Sequence, residues 1–205
     1  VSPSHMTRWG DVMSNKRRLE LVEYSFNNNS TVIEDDYEND FLYNVKPTPA
    51  LFTLGHGNVI YIGSFSAMLL PGIRISFMVL NDKLTKLYNQ NKYKFAQTAS
   101  KTEQIALCQY IRDGHINSQT RKIRRLYSNK TKDFYSILKK EFPNAQISIS
   151  ENTLQIIMSI KFDKDIEVFE KNSISLFVEK YENGLITIVL SPSGIPSSKL
   201  LEGAK

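Results

Sequence analysis

The chain has 205 residues, 41% hydrophobic and 23% charged, with a formal net charge of +5. That size and composition can bury a real core, as one large domain or one and a half. A single cysteine, Cys108, excludes an internal disulfide framework and fits a reducing compartment such as the cytoplasm. The apolar run Ile73 to Leu80 is interrupted by Arg74 and falls far short of the roughly 20 apolar residues of a membrane helix. No basic leader followed by an apolar core opens the chain, so neither an export signal nor a membrane partner is expected.

Residues 1 to 13 carry Ser, Pro and Gly without periodicity and predict a strand end followed by a loop, in which His5 has no assigned chemistry. Ser14 is a candidate N-cap for a helix to Phe26, with Leu19, Val22 and Phe26 at spacings of three and four. Asn27 to Ser30 ends it. Thr31-Val32-Ile33 predicts a short buried strand leading into Glu34-Asp35-Asp36-Tyr37, three acids whose simplest reading is a solvated turn. Phe41, Tyr43, Leu51 and Phe52 are expected to pack. His56, in a Gly-His-Gly turn, has no partner at metal-ligand spacing.

Two β-rich runs follow, Val59 to Ile62 and Ile73 to Leu80, flanking a serine-rich turn and the Pro71-Gly72 break. The intervening residues are thereby presented at strand ends, where open α/β sheets hold their ligands. Ser64 and Ser66 supply small hydroxyls, and Arg74 supplies a forked cation suited to phosphate.

A helix is expected from Asp82, its candidate N-cap, to Phe95, with Leu84, Leu87 and Tyr88 on one face. Ser100 and Glu103 stand at capping-box spacing before Ile105, Cys108 and Ile111, with an end at Gly114. Ile116, Thr120, Ile123, Tyr127, Lys130, Phe134 and Ile137 then recur at alternating steps of four and three, the mark of one long amphipathic helix. Its cations are Arg121, Lys122, Arg124, Arg125, Lys130, Lys132, Lys139 and Lys140, read either as a solvated connecting surface or as a phosphate-binding stripe. Beyond Pro143 the pattern changes to short strands, Ala145 to Ser150, Leu154 to Ile160, Ile174 to Val178 and Leu185 to Leu190, with a helix from Asp163 to Lys171 and a final helical segment from Ser197.

The stretch Tyr61 to Leu80, YIGSFSAMLLPGIRISFMVL, resembles the cofactor-lysine motif of fold-type-I pyridoxal-phosphate domains in the form carried by MocR/GabR-type transcription regulators of the GntR family. In that motif a Ser-Phe-Ser triplet precedes the Schiff-base lysine, and an Arg follows seven residues later. Here the Arg is Arg74 and the lysine position is Ala67. The resemblance covers nearly all of the chain, strongly from about 12 to 127, in what corresponds to the C-terminal half of a full regulator.

It implies an α/β fold, the C-terminal half of a fold-type-I pyridoxal-phosphate-dependent transferase large domain followed by a small α+β domain. The corresponding boundaries are 1–115 for the large-domain half, 116–142 for a basic connecting helix and 143–205 for the small domain. By the same resemblance Asp35 would bond the pyridine nitrogen and Tyr37 the phenolic oxygen, with Ser64, Ser66 and Arg74 around the phosphate. The Arg that usually meets a substrate carboxylate near the last strand is replaced by Gly184-Leu185. Further implications are a homodimer, a small-molecule effector that is pyridoxal phosphate or amino-acid-like, and DNA contact through a domain outside this chain.

The function expected is therefore an aminotransferase-like effector domain that binds pyridoxal phosphate non-covalently if at all, and that lacks the lysine needed for catalysis. The alternatives are an active class I/II aminotransferase and a degenerate structural or dimerisation remnant.

Overall fold

The computed structural model describes residues 1–6, 12–36, 48–55, 57–66, 68–69, 72–150, 153–171 and 177–204. Tyr37, Phe41, Tyr43, His56, Ala67 and Pro71, named above, lie outside the described residues. The chain divides into two units, 1–122 and 123–205.

In the first unit, helix α1 (Asn15–Asn27) starts at Ser14, whose side chain accepts the Arg17 N–H at 3.4 Å. Its inward face differs from the expected stripe. Arg18, Val22 and Ser25 are buried, whereas Leu19 and Phe26 are exposed. Strand β1 (Val32–Asp36) contains all three acids that were expected to form a solvated turn. A single turn of helix, α2 (Leu51–Leu54), then leads to strand β2 (Val59–Ser64). β1 pairs parallel with β2, and β2 antiparallel with strand β3 (Ser76–Val79). At the other edge of β1 the backbone of Val1 bonds the Ile33 carbonyl and the Asp35 N–H.

The sheet has two unlike faces because side chains alternate along each strand. Val32, Glu34 and Asp36 share one face with Val59, Tyr61 and Gly63 through the β1–β2 register. Val22, Leu51 and Val59 form the core of that face, each worth about 1.5–3 kcal/mol when fully buried. Phe77 also turns to it, tilted against Tyr61 and Phe65, and an added Cβ at Gly63 would run into its ring. The opposite face carries Ile33, Asp35, Ile60, Ile62 and Ser64, with Ile33 exposed despite the expectation of a buried strand.

Helix α3 (Asp82–Asn91) is capped by Asn81, whose side chain accepts the Leu84 N–H at 2.8 Å, rather than by Asp82. Asn81 has the extended backbone of an N-cap, while Asp82 already stands in the first turn. Leu87 and Tyr88 on its expected inner face are exposed. Helix α4 (Lys101–Arg112) begins as expected at Ser100, but Ile105, Cys108 and Ile111 are exposed and only Leu107 of this helix is buried. Gly114 ends it with a φ of 74°, a conformation glycine adopts without steric cost.

Helix α5 runs from His115 to Glu141. In the second unit its buried Phe134 and Leu138 pack on one face of an antiparallel sheet of order β4-β5-β7-β6, and buried Thr131 donates to the Leu154 carbonyl at 3.2 Å. Those strands are β4 (Gln146–Ile149), β5 (Ile156–Lys161), β6 (Phe177–Glu182) and β7 (Leu185–Leu190). Ile147, Ile156, Met158, Ile186 and Ile188 form the covered face, and the terminal helix α7 (Leu200–Ala204) adds Leu200 and Ala204. Helix α6 is shorter than expected, Glu167–Lys171. No helix among the described residues is long and apolar enough to cross a membrane.

Candidate cofactor site

Because β1 and β2 are parallel, their carboxyl ends lie at the same end of the sheet. Four of the five expected site residues stand there. Asp35 pairs with Ile62, and Ser64 lies two residues further along β2 on the same open face. The β2–β3 ladder continues one step beyond the paired Ser64 and Ser76 through the Phe65 N–H, which donates to the Ile75 carbonyl at 3.0 Å. That step brings Ser66 alongside the segment carrying Arg74. The Ser66 hydroxyl donates to the Ile73 carbonyl at 2.7 Å, and its N–H donates to Ser64 Oγ at 3.2 Å. The fifth residue, Tyr37, follows β1 directly in sequence but lies outside the described residues.

The donors at this end are unequal. Ser64 Oγ accepts from Ser66 and keeps its own O–H for a ligand, whereas the Ser66 O–H is engaged by Ile73. Arg74 is exposed and makes no hydrogen bond or ion pair with another described residue, so its fork is available for bidentate contact. Asp35 is exposed and its carboxylate is likewise unengaged among the described residues. This set offers one carboxylate, one hydroxyl donor and one guanidinium, a combination that can meet a ligand bearing both an anionic group and a hydrogen-bond donor. A cleft of about 410 Å³ lined by Leu69, Ile73, Leu107 and Tyr110 opens beside the same loop. It presents Glu103 and no cation among its described lining residues, so it offers an anionic ligand no counter-charge.

The other face holds a buried polar cluster that the sequence reading missed. Glu34 is fully buried and caps α2, accepting the Leu51 N–H at 2.8 Å and the Phe52 N–H at 2.9 Å on its two oxygens. Arg18, 1% exposed, stands 3.9 Å from Glu34 and donates to the carbonyls of Met13 and Pro49, both at 3.0 Å. Asp36 accepts the Tyr61 hydroxyl at 3.0 Å, while its Oδ1 and Arg18 Nη2 have no hydrogen-bond partner among the described residues. Burial pushes the Glu34 carboxyl up, with Asp36 adding to the rise; the Leu51 and Phe52 N–H groups and Arg18 oppose it. Burial lowers Arg18, against the pull of Glu34 and Asp36. The available signal was the alternation in Val32-Ile33-Glu34-Asp35-Asp36, which puts the first and third acids on the side of Val32. Among the described residues no group of three or more His, Cys, Asp or Glu is placed to hold a metal ion.

The family model for aminotransferase class I and II matches residues 1–189. The HTH-type transcriptional regulator YdeL of Bacillus subtilis (strain 168) is 30% identical over 215 residues, covering 100% of this chain and 46% of that protein. MocR of Rhizobium meliloti, a probable rhizopine catabolism regulatory protein, is 28% identical over 168 residues, covering 82% of this chain and 34% of that protein. The chain thus spans less than half the length of these regulators. Among solved structures, the kynurenine aminotransferase of Pyrococcus horikoshii superposes with a TM-score of 0.71 at 23% identity, over 96% of this chain and 51% of that one. The fold is accordingly the α/β arrangement of fold-type-I aminotransferases, and the resemblance to MocR-type regulators noted in the sequence is borne out. The chain belongs to the aminotransferase class I and II family, and within it is similar to part of the MocR-type transcription regulators.

Proposed function

We propose that this chain is the sensory, aminotransferase-like part of a MocR-type transcription regulator, and that the open end of its first sheet holds pyridoxal phosphate or a closely related anionic ligand without a covalent bond. The observation that carries this reading is the convergence of Asp35, Ser64, Ser66 and Arg74 at the carboxyl ends of β1 and β2. Arg74 and the Ser64 hydroxyl would meet the phosphate, and Asp35 would keep the ring nitrogen protonated, with Tyr37 the candidate for the phenolic oxygen. When bound, the cofactor supplies an electron-withdrawing ring and a reactive aldehyde.

Transamination also needs a desolvated amine that holds the aldehyde and then carries a proton. Ala67 supplies none, so this chain senses rather than transforms. The same reading makes the regulator a cytoplasmic homodimer whose sequence-reading DNA domain lies outside this chain. Calorimetric titration with pyridoxal phosphate tests the ligand assignment. Saturable heat that Arg74→Ala and Asp35→Asn each weaken supports the site; no heat, or heat that neither change alters, overturns it.

A further inference from the structure

The positive charge of this chain is concentrated on one helix. Along α5, His115–Glu141, there are eight Lys and Arg against the two acids Asp133 and Glu141, a local excess of six, so the rest of the chain, set against the total of +5, carries a net −1. The second unit explains how that charge is displayed. Phe134 and Leu138 turn inward onto the sheet, which fixes the rotation of α5 about its axis. Residues seven apart drift by only about 20° around a helix, so Arg125, Lys132 and Lys139 form a straight row. All three are exposed, and the row is about 21 Å long at 1.5 Å per residue.

The surroundings of the row favour a polyanion. Arg125 and Lys132 have no ion pair with any described residue, and Lys139 stands over the Tyr135 ring at 5.7 Å. Ser128 and Ser136 fall between the cations on the same side, adding short hydroxyls, and Lys140 flanks its end. Arg121 and Lys122 precede the row on the same helix. Lys130 is excluded because it donates to the Ser193 carbonyl. A helix that lies on a membrane needs an apolar face turned to the lipid, and the apolar face of α5 in this unit is already covered by the sheet.

We infer that the Arg125, Lys132 and Lys139 face of α5 lies against the phosphate backbone of duplex DNA, adding sequence-independent affinity to a regulator whose bases are read elsewhere. Phosphate contacts of this kind position a protein on the duplex without specifying sequence. The inference rests on the regulator reading above, but not on whether the first sheet binds a cofactor.

The test is fluorescence anisotropy of a labelled mixed-sequence duplex titrated with the 205-residue chain over a range of salt concentrations. Each phosphate contact contributes about 0.9 to the slope of log K against log salt, so R125Q/K132Q/K139Q lowers that slope by about 2 to 3 and K132Q alone by about 0.9. The matched variant K83Q/K86Q/K92Q, which removes three exposed cations from in and just beyond α3, leaves the slope nearly unchanged. The inference is overturned by absence of duplex binding, by equal losses in the two triple variants, or by equally tight binding to phosphatidylserine vesicles that R125Q/K132Q/K139Q also abolishes.

Discussion

The two faces of the β1–β2–β3 sheet use the same residue types for opposite purposes. On the closed face Glu34 is built into the fold, each oxygen holding a backbone N–H of α2, and Asp36 holds a tyrosine hydroxyl. On the open face, one residue away, the Asp35 carboxylate meets no described partner and stands with Ser64 near the end of two parallel strands. Strand alternation alone separates these roles. An acid is structural or available for a ligand according to its parity in the strand, and three acids in succession therefore do not form one cluster.

Substitutions at matched positions sharpen that contrast. The largest loss is expected at Arg18→Ala, because removing one partner of a buried ion pair costs about 3–5 kcal/mol, whereas Asp35→Ala on the open face should stay within about 0.5 kcal/mol. Urea denaturation of both variants measures the difference, and equal midpoints would erase the distinction between the faces. Gly63→Ala comes next. The new methyl group meets the tip of the Phe77 ring on the closed face, and because that ring is 39% exposed and can swing aside the cost is at the low end for overpacking, about 1 kcal/mol in the same assay.

The smallest effect is a pH dependence. Burial raises Glu34 from its ordinary value of 4.5, so the stability it contributes is fully present below that value and is lost as pH rises through the raised one. Glu34→Gln does not titrate, so the wild-type advantage over it should shrink as pH rises from below 4.5 towards neutrality. Paired denaturation curves across that range check the sign, and an advantage that grew with pH would place Glu34 among carboxyls lowered by their partners.

Local signals in the sequence were sufficient for much of this architecture. Ser14 and Ser100 cap the helices they were expected to cap, and the stripe from Ile116 to Ile137 marks the half-buried side of α5. Helix faces were less legible. Leu19 and Phe26 suggested an inner stripe but are exposed, because a buried arginine and serine occupy the inner face of α1 and no periodicity rule anticipates a charged residue there; on α4 Leu107 is buried in place of Ile105. Glu34 was misread for a related reason. Its partners, Arg18 and the N–H groups of residues 51 and 52, are distant in sequence, and only the parallel pairing of β1 with β2 draws that region together. The candidates Ser64, Ser66 and Arg74 rest on their order and spacing in and after the Ser-Phe-Ser triplet, and Asp35 and Tyr37 on the acidic run that begins in β1.

The proposed role requires that the open end of this sheet fit pyridoxal phosphate without a covalent anchor. Ala67→Lys, mixed with pyridoxal phosphate, reduced with borohydride and mapped by mass spectrometry, is the measurement. An intact pocket gives covalent labelling concentrated at residue 67 and diminished when Arg74→Ala is added. Labelling scattered over surface lysines with no preference for residue 67 would contradict that fit.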